Sequence, residues 1–169
     1  MNLRLESGLT VRDCREADSN AFFELMSLPQ TQRFLPDRFE SAEEMAEVIG
    51  WLRGNYGRPD FMRLTYAVAD GERLVGWVSV GPLPSDESKR ELAYCVHPDY
   101  WGRGVATEAA GAFLSWLARE GVAGPLFAEA HLENAPSGRV LEKLGFKTLG
   151  DFAEGETGAS KRLYGRTTS

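Results

Sequence analysis

The sequence predicts a single α/β (α+β) domain built on a central mixed, twisted sheet of about seven strands flanked by about four helices. Three observations carry this expectation. Short β-rich apolar runs alternate with amphipathic helical stretches along the chain. Over residues 90–132 a strand, a helix and a second strand follow one another, and a helical crossover between neighbouring strands makes them parallel. A hairpin over 61–81 and a closing pair, "KTLGDF" and "SKRLYGR", supply antiparallel neighbours. With 169 residues, 43% of them apolar and 11% aromatic, the chain fits one domain, residues 1–169, that buries a full core.

Each element has its own signal. "GLTVRDC" (8–14) reads as the first strand, and Asp18 opens a helix through Met26. In "SAEEMAEVIGWLRGNYG", Ser41 and Glu44 have capping-box spacing, and Met45, Val48, Ile49 and Leu52 recur on one helical face. "FMRLTYAVADGERLVGWVSVG" reads as a hairpin. Met62, Leu64, Tyr66 and Val68 alternate, Asp70-Gly71 turns, and Leu74 to Val80 returns. Gly76, inside that return strand, marks a bulge or a close backbone approach. "RELAYCV" (90–96) is a short strand. The helix that follows places Ala106, Ala109, Ala110, Phe113, Leu114 and Leu117 in one stripe. "LFAEAHL" (126–132) is a strand. "NAPSGRVLEKLGF" is a helix with Val140, Leu141 and Leu144 inward and Gly145 as its C-terminal cap. "KTLGDF" and "SKRLYGR" close the sheet as an antiparallel pair.

Composition removes several functional classes. The formal net charge of −6 argues against a nucleic-acid surface. Cys14 and Cys95 are the two cysteines, far apart and without CxxC spacing, so neither a disulfide framework nor a metal cluster is expected. No apolar run approaches the length of a membrane span, and "MNLRLESG" lacks a signal-peptide apolar segment. The expectation is a soluble cytoplasmic protein without membrane contact.

"HPDYWGRGVATEA" (97–109) places Gly102 and Gly104 around Arg103, immediately before an amphipathic helix. A helix N-terminus carries unpaired N–H groups and partial positive charge, and glycines there let an anion approach the backbone. The N–H groups of Arg103, Gly104, Val105, Ala106 and Thr107 are therefore candidates to surround a phosphate. The string contains no GxxxxGK[ST], and as a dinucleotide fingerprint it lacks the third Gly or Ala.

This segment resembles the acetyl-CoA-binding motif of the GNAT acetyltransferases, (Q/R)-x-x-G-x-(G/A), with Trp101, Gly104 and Ala106 at the matching places. Trp101 stands where Gln or Arg is usual. The longer string, together with "ENAPSGRVLEKLGF" (133–146), is similar to the Rim-type ribosomal-protein N-terminal acetyltransferases. The resemblance implies the GNAT fold and an acetyl-CoA-dependent N-acetyltransferase. The pyrophosphate would lie on the glycine turn and the pantetheine arm along the strand ending in Cys95 and Val96. A backbone N–H near Cys95 would meet the thioester carbonyl. Asn134 is the position whose amide contacts the CoA arm, and it is equally a good helix N-cap.

The implied reaction is direct attack of an amine on the thioester, which needs a base, a donor for the developing charge and a group that receives the leaving thiolate. Glu91 is the candidate base, four residues before Cys95 and hence on the same strand face; the alternative is a surface glutamate paired with Lys89 or Arg90. The tyrosine that many family members use as acid is replaced by Leu141, and Ser137 resembles the serine given that role in Rim-type enzymes. Ser137 also fits the first turn of a helix. Cys95 reads as a buried thiol in preference to a nucleophile, and His131 as a structural histidine. Glu108 complements the helix dipole or bonds a neighbouring loop, and Tyr164 packs in the last strand.

On the acceptor side, Phe34, Trp51, Tyr56 and Phe61 are expected to form an aromatic wall. The acidic balance suits a cationic acceptor: a protein N-terminus, a polyamine or an aminoglycoside-like amine. Self-association into a homodimer is left open. The rival reading is a silent acyl-CoA-binding sensor, favoured by Trp101 and by Leu141 at the tyrosine place.

Overall fold

The structure, a computed structural model, describes residues 1–155 and 157–167. Eight strands run in chain order: β1 (Asn2–Arg4), β2 (Thr10–Asp13), β3 (Leu64–Asp70), β4 (Arg73–Leu83), β5 (Asp86–Val96), β6 (Leu126–His131), β7 (Lys147–Ala153) and β8 (Ser160–Arg166). Five helices accompany them: α1 (Ser19–Ser27), α2 (Pro29–Gln32), α3 (Ala42–Arg53), α4 (Val105–Arg119) and α5 (Ala135–Lys143). The strands form one mixed sheet in the order β1-β2-β3-β4-β5-β6-β8-β7. Every neighbouring pair is antiparallel except β5 and β6, which the α4 crossover makes parallel.

The count exceeds the expectation by one strand and one helix. β1 is three residues long, too short to show a period, and pairs Leu3 with Val11. α2 is one turn that Pro29 opens at its first position. The first expected strand, 8–14, shrinks to Thr10–Asp13, because Gly8 takes a positive φ in the turn that links it to β1.

Two cores cover the two sheet faces. Leu64, Tyr66, Val68, Val78, Val80 and Leu92 pack beneath Phe113, Leu114 and Leu117 of α4. On the other face Ala67, Trp77 and Cys95 lie beneath Phe22, Leu25 and Met26 of α1 and Met45 and Ile49 of α3. β3 is therefore buried on both faces, and residues of both parities are apolar or small. Met62 does not join the alternation: it lies before β3 and is exposed. In α4 the stripe begins at Val105, with Ala106 only half-buried.

Caps follow local chemistry. Ser41 Oγ accepts from Glu44 N–H at 3.1 Å, opening α3, while Glu44 reaches back to Glu40 N–H at 2.6 Å. Gly145 (φ +85°) ends α5, and Phe146 N–H bonds Leu141 O at 3.0 Å. Gly76 serves both purposes expected of it. The β3–β4 register shifts beside it, between Val68 and Ala69, and an added Cβ would lie 2.5 Å from the Cys95 carbonyl oxygen.

Candidate active site

β5 and β6 pair at only two positions, Arg90↔Leu126 and Glu91↔Phe127. Beyond these both strands continue, to Val96 and His131, without pairing to each other. The sheet opens there, on the side where the glycine turn begins α4.

The β4–β5 ladder decides which main-chain groups face this opening. His97 N–H bonds Val75 O at 2.8 Å, so this pair is of the hydrogen-bonded kind. Antiparallel pairs alternate, so by the register Cys95 is bonded to Trp77, and Tyr94 and Val96 turn their N–H and C=O groups away from β4. This corrects the expectation for Cys95, whose amide is directed to β4. Its thiol is buried on the α1 face 4.0 Å from Thr31 Oγ1, where burial pushes it up to about 12 and keeps it protonated. The outward groups belong to Tyr94 and Val96. The Val96 carbonyl is bonded at 2.7 Å by the Trp101 indole N–H, which ties the exposed Trp101 to the strand end.

In the turn, Gly102 (φ +73°) and Gly104 (φ +72°) are both left-handed, a conformation that costs other residues about 1–2 kcal/mol. A Cβ on either meets nothing within 4 Å, so the surface over the bend is open and backbone geometry is what calls for glycine. Gly104 is the N-cap of α4, and no side chain caps it; the N–H groups of Val105, Ala106 and Thr107 lie in the first turn. The Arg103 guanidinium lies 5.3 Å from the Tyr100 ring centroid, beside a hollow of about 250 Å³ lined also by Ser7, Gly8 and Asp70. Glu108 leaves the bend and accepts from Ser7 N–H at 3.0 Å, the loop contact that was one of its two expected roles.

Across the opening, Asn134 Oδ1 accepts from Ser137 N–H at 3.3 Å, the N-cap role. Ser137 Oγ lies 2.9 Å from the Tyr94 hydroxyl, which is also 3.1 Å from the Ser137 carbonyl oxygen. Burial pushes the Tyr94 phenol up to about 12. Sequence reasoning missed Tyr94: at helical or strand spacing it is one more apolar-face residue, and its partner is 43 positions away.

Glu91 sits at the last position paired with β6, on the α1 face, with Cys95 four residues further along on the same face. Neither alternative ion pair forms. Lys89 binds Asp86 at 2.7 Å, and Arg90 lies over the Phe61 ring at 4.3 Å. Among the described residues no group hydrogen-bonds the Glu91 carboxylate. Burial, followed by the neighbouring Glu129 charge, pushes it up to about 8.

The expected aromatic wall is not assembled. Phe34 lies 5.5 Å from His131, beside the end of β6. Trp51 is 49% exposed, on the α3 face opposite Met45, Ile49 and Leu52. The Tyr56 hydroxyl donates to Thr65 O at 2.6 Å and accepts from Cys14 N–H at 3.1 Å, and its ring stacks on Tyr66. Tyr56 is thereby a packing residue, raised above the ordinary phenol range by burial.

The family is shown by comparison. The chain matches the acetyltransferase (GNAT) domain model over residues 8–147, and it belongs to that family as an N-acetyltransferase. It is 25% identical over 144 residues to YnaD of Bacillus subtilis, described as an uncharacterized N-acetyltransferase, covering 85% of this chain and 82% of that one. Among solved structures it resembles RimL, a ribosomal L7/L12 α-N-protein acetyltransferase in complex with coenzyme A. The TM-score is 0.83 at 18% identity over 99% of this chain and 98% of that one. It is also similar to a ribosomal-protein-S5-alanine acetyltransferase from Vibrio fischeri, with TM-score 0.82 at 16% identity over 99% and 96% of the two chains. Among the described residues no helix is long and apolar enough to cross a membrane.

Proposed function

We propose that the chain, as one domain, transfers the acetyl group of acetyl-CoA to a primary amine, a protein N-terminus or a small-molecule amine, by direct attack on the thioester. The observation that carries this is the opening beyond Glu91↔Phe127, with Tyr94 and Val96 amides facing it beside the left-handed glycine turn. The structural similarity to RimL, solved in complex with coenzyme A, supports the choice of cofactor. Two buried, unpaired cysteines fit a reducing cytoplasm.

In this reading the amides of Arg103, Gly104, Val105, Ala106 and Thr107 hold the pyrophosphate, with Asn134 beside the pantetheine arm. The Tyr94 and Val96 N–H groups stabilise charge developing on the carbonyl oxygen; one such donor is typically worth about 3 kcal/mol. Glu91 takes the ammonium proton directly or through water, and its raised pKa is matched to an α-amine of about 8. Ser137, held by Tyr94, hydrogen-bonds the leaving thiolate. The acceptor approaches from the α1 face, past Phe34.

The test is thiol release from acetyl-CoA, read with DTNB over a panel of amines and peptide N-termini. Release with at least one amine, lost in Gly104→Val, supports the reading. Micromolar acetyl-CoA binding with no release from any amine overturns it in favour of a sensor.

A further inference from the structure

The α1 face beside Glu91 carries a second charged group. Arg63 lies one residue before β3, opposite Gly81 when the Leu64↔Val80 register is extended by one, and Gly81 pairs with Glu91. Arg63, Gly81 and Glu91 thus form one row across three strands. The guanidinium occupies the place a side chain at 81 would fill: a Cβ there would lie 2.6 Å from Arg63 Cζ. It is therefore seated over the middle strand, about one strand spacing (~4.8 Å) from the β5 backbone at Glu91.

Its hydrogen bonding is incomplete. Arg63 donates to Ser79 Oγ at 3.2 Å, and Ser79 is itself held by Thr65 Oγ1 at 2.9 Å. Both hydroxyl residues are buried, so the head group is anchored from below. Among the described residues its other N–H donors meet no acceptor and it has no ion-pair partner. The other charges on this face differ. Glu129 accepts from Ser85 through both N–H and Oγ, and Lys161 binds Glu154 at 2.7 Å. Among the described residues Arg63 and Glu91 have no ion-pair or side-chain carboxylate partner; the Arg63 charge favours the Glu91 carboxylate, and the Asp37 charge, also without an ion pair, opposes it.

A planar guanidinium with free N–H donors matches a carboxylate bidentately. Resting on the acetyltransferase reading above, we propose that Arg63 binds a carboxylate of the acceptor, and that the acceptor is an amine bearing that carboxylate within one or two carbons of its nitrogen. Glu91 then meets the nitrogen and Arg63 the anion, and the strand spacing between them sets the distance. Such an acceptor is a free α-amino acid or a peptide beginning with Asp. A polyamine is disfavoured, because it offers the Arg63 donors no acceptor.

The experiment is equilibrium binding of reaction products in the presence of CoA, which needs no turnover. The probes are the N-acetyl-L-amino acids, their matched N-acetyl amides, and N-acetyl peptides beginning with Asp or Asn. The expected result is that carboxylate probes of one arm bind about 10- to 100-fold tighter than their amide or Asn counterparts, the effect of one charge-assisted pair. Arg63→Gln removes that ratio and Arg63→Lys keeps part of it, with CoA affinity unchanged. A preference confined to the free acids selects amino acids; one confined to Asp peptides selects protein N-termini. Equal binding of carboxylate and neutral probes, no binding of any probe, or a ratio that survives Arg63→Gln overturns the proposal. Should Arg63→Gln not fold, the wild-type ratio decides alone. Failure of the acetyltransferase reading is seen separately, as absence of thiol release from acetyl-CoA with every amine.

Discussion

The Tyr94 hydroxyl lies 2.9 Å from Ser137 Oγ, joining β5 to the first turn of α5 across the opening between β5 and β6. Each residue alone is unremarkable in the sequence; together they place two hydroxyls where the leaving thiolate is expected. Tyr94→Phe and Ser137→Ala are each predicted to lower kcat about tenfold, the value of one hydrogen bond of roughly 1.4 kcal/mol. The KM for acetyl-CoA should change little. Because the two hydroxyls act as a pair, the double variant should be no slower than the worse single one. Steady-state kinetics of the four proteins checks this, and multiplying effects would separate the pair.

Glu91 is predicted to leave its mark on two pH profiles. As the base it must be deprotonated, so kcat/KM for the acceptor rises with pH through about 8, and Glu91→Gln flattens that limb while lowering kcat. For stability, the folded pKa is raised above the unfolded value, so the native state holds the proton more tightly than the unfolded chain. This contribution is complete below the ordinary carboxylate range and is lost as pH rises through about 8. The Tm of Glu91→Gln relative to wild type should therefore be more favourable at pH 9 than at pH 5. A difference independent of pH would count against the raised value.

The glycine turn gives a third expectation. Gly104→Val forces a β-branched residue to φ +72° at the N-cap of α4. Acetyl-CoA binding should be lost, and far-UV circular dichroism should show the domain still folded. Wild-type affinity in this variant would remove the bend as the phosphate site.

Gly76 and Gly50 form a matched contrast. A Cβ at Gly76 would meet the Cys95 carbonyl oxygen at 2.5 Å, a backbone atom held in the ladder. Gly76→Ala should cost about 2–3 kcal/mol, a fall of roughly 4–12 °C in Tm. Gly50, inside α3, has nothing within 4 Å, so Gly50→Ala should stabilise by up to about 1 kcal/mol through helix propensity. Differential scanning calorimetry reads both.

What was legible beforehand follows from the range of each interaction. The α4 stripe from Ala109, the Ser41 cap and the Gly145 stop are written within a few residues, and each appears where its local pattern places it. The hairpin at Asp70-Gly71 and the β5-α4-β6 crossover are likewise local. β1 escaped because three residues carry no period. Tyr56 was misread because an aromatic in a loop looks like a wall residue until its hydroxyl is found on Cys14 and Thr65. The orientation of the Cys95 amide depends on which β4–β5 pairs are hydrogen-bonded, a matter of register that one strand's sequence does not contain. The Arg63-Gly81-Glu91 row was hidden for the same reason: its members are 18 and 10 positions apart and meet only through two ladders.

The groups assigned to the cofactor are mostly peptide amides at the bend and on β5, whereas those assigned to the acceptor are the side chains of Arg63, just before β3, and Glu91, on β5. A point mutation erases a side chain but leaves the amide in place. On the reading proposed above, this chain can exchange one substrate for another by replacing Arg63 or its neighbours while inheriting its acyl donor unaltered. The architecture separates what descendants must keep from what they are free to reinvent.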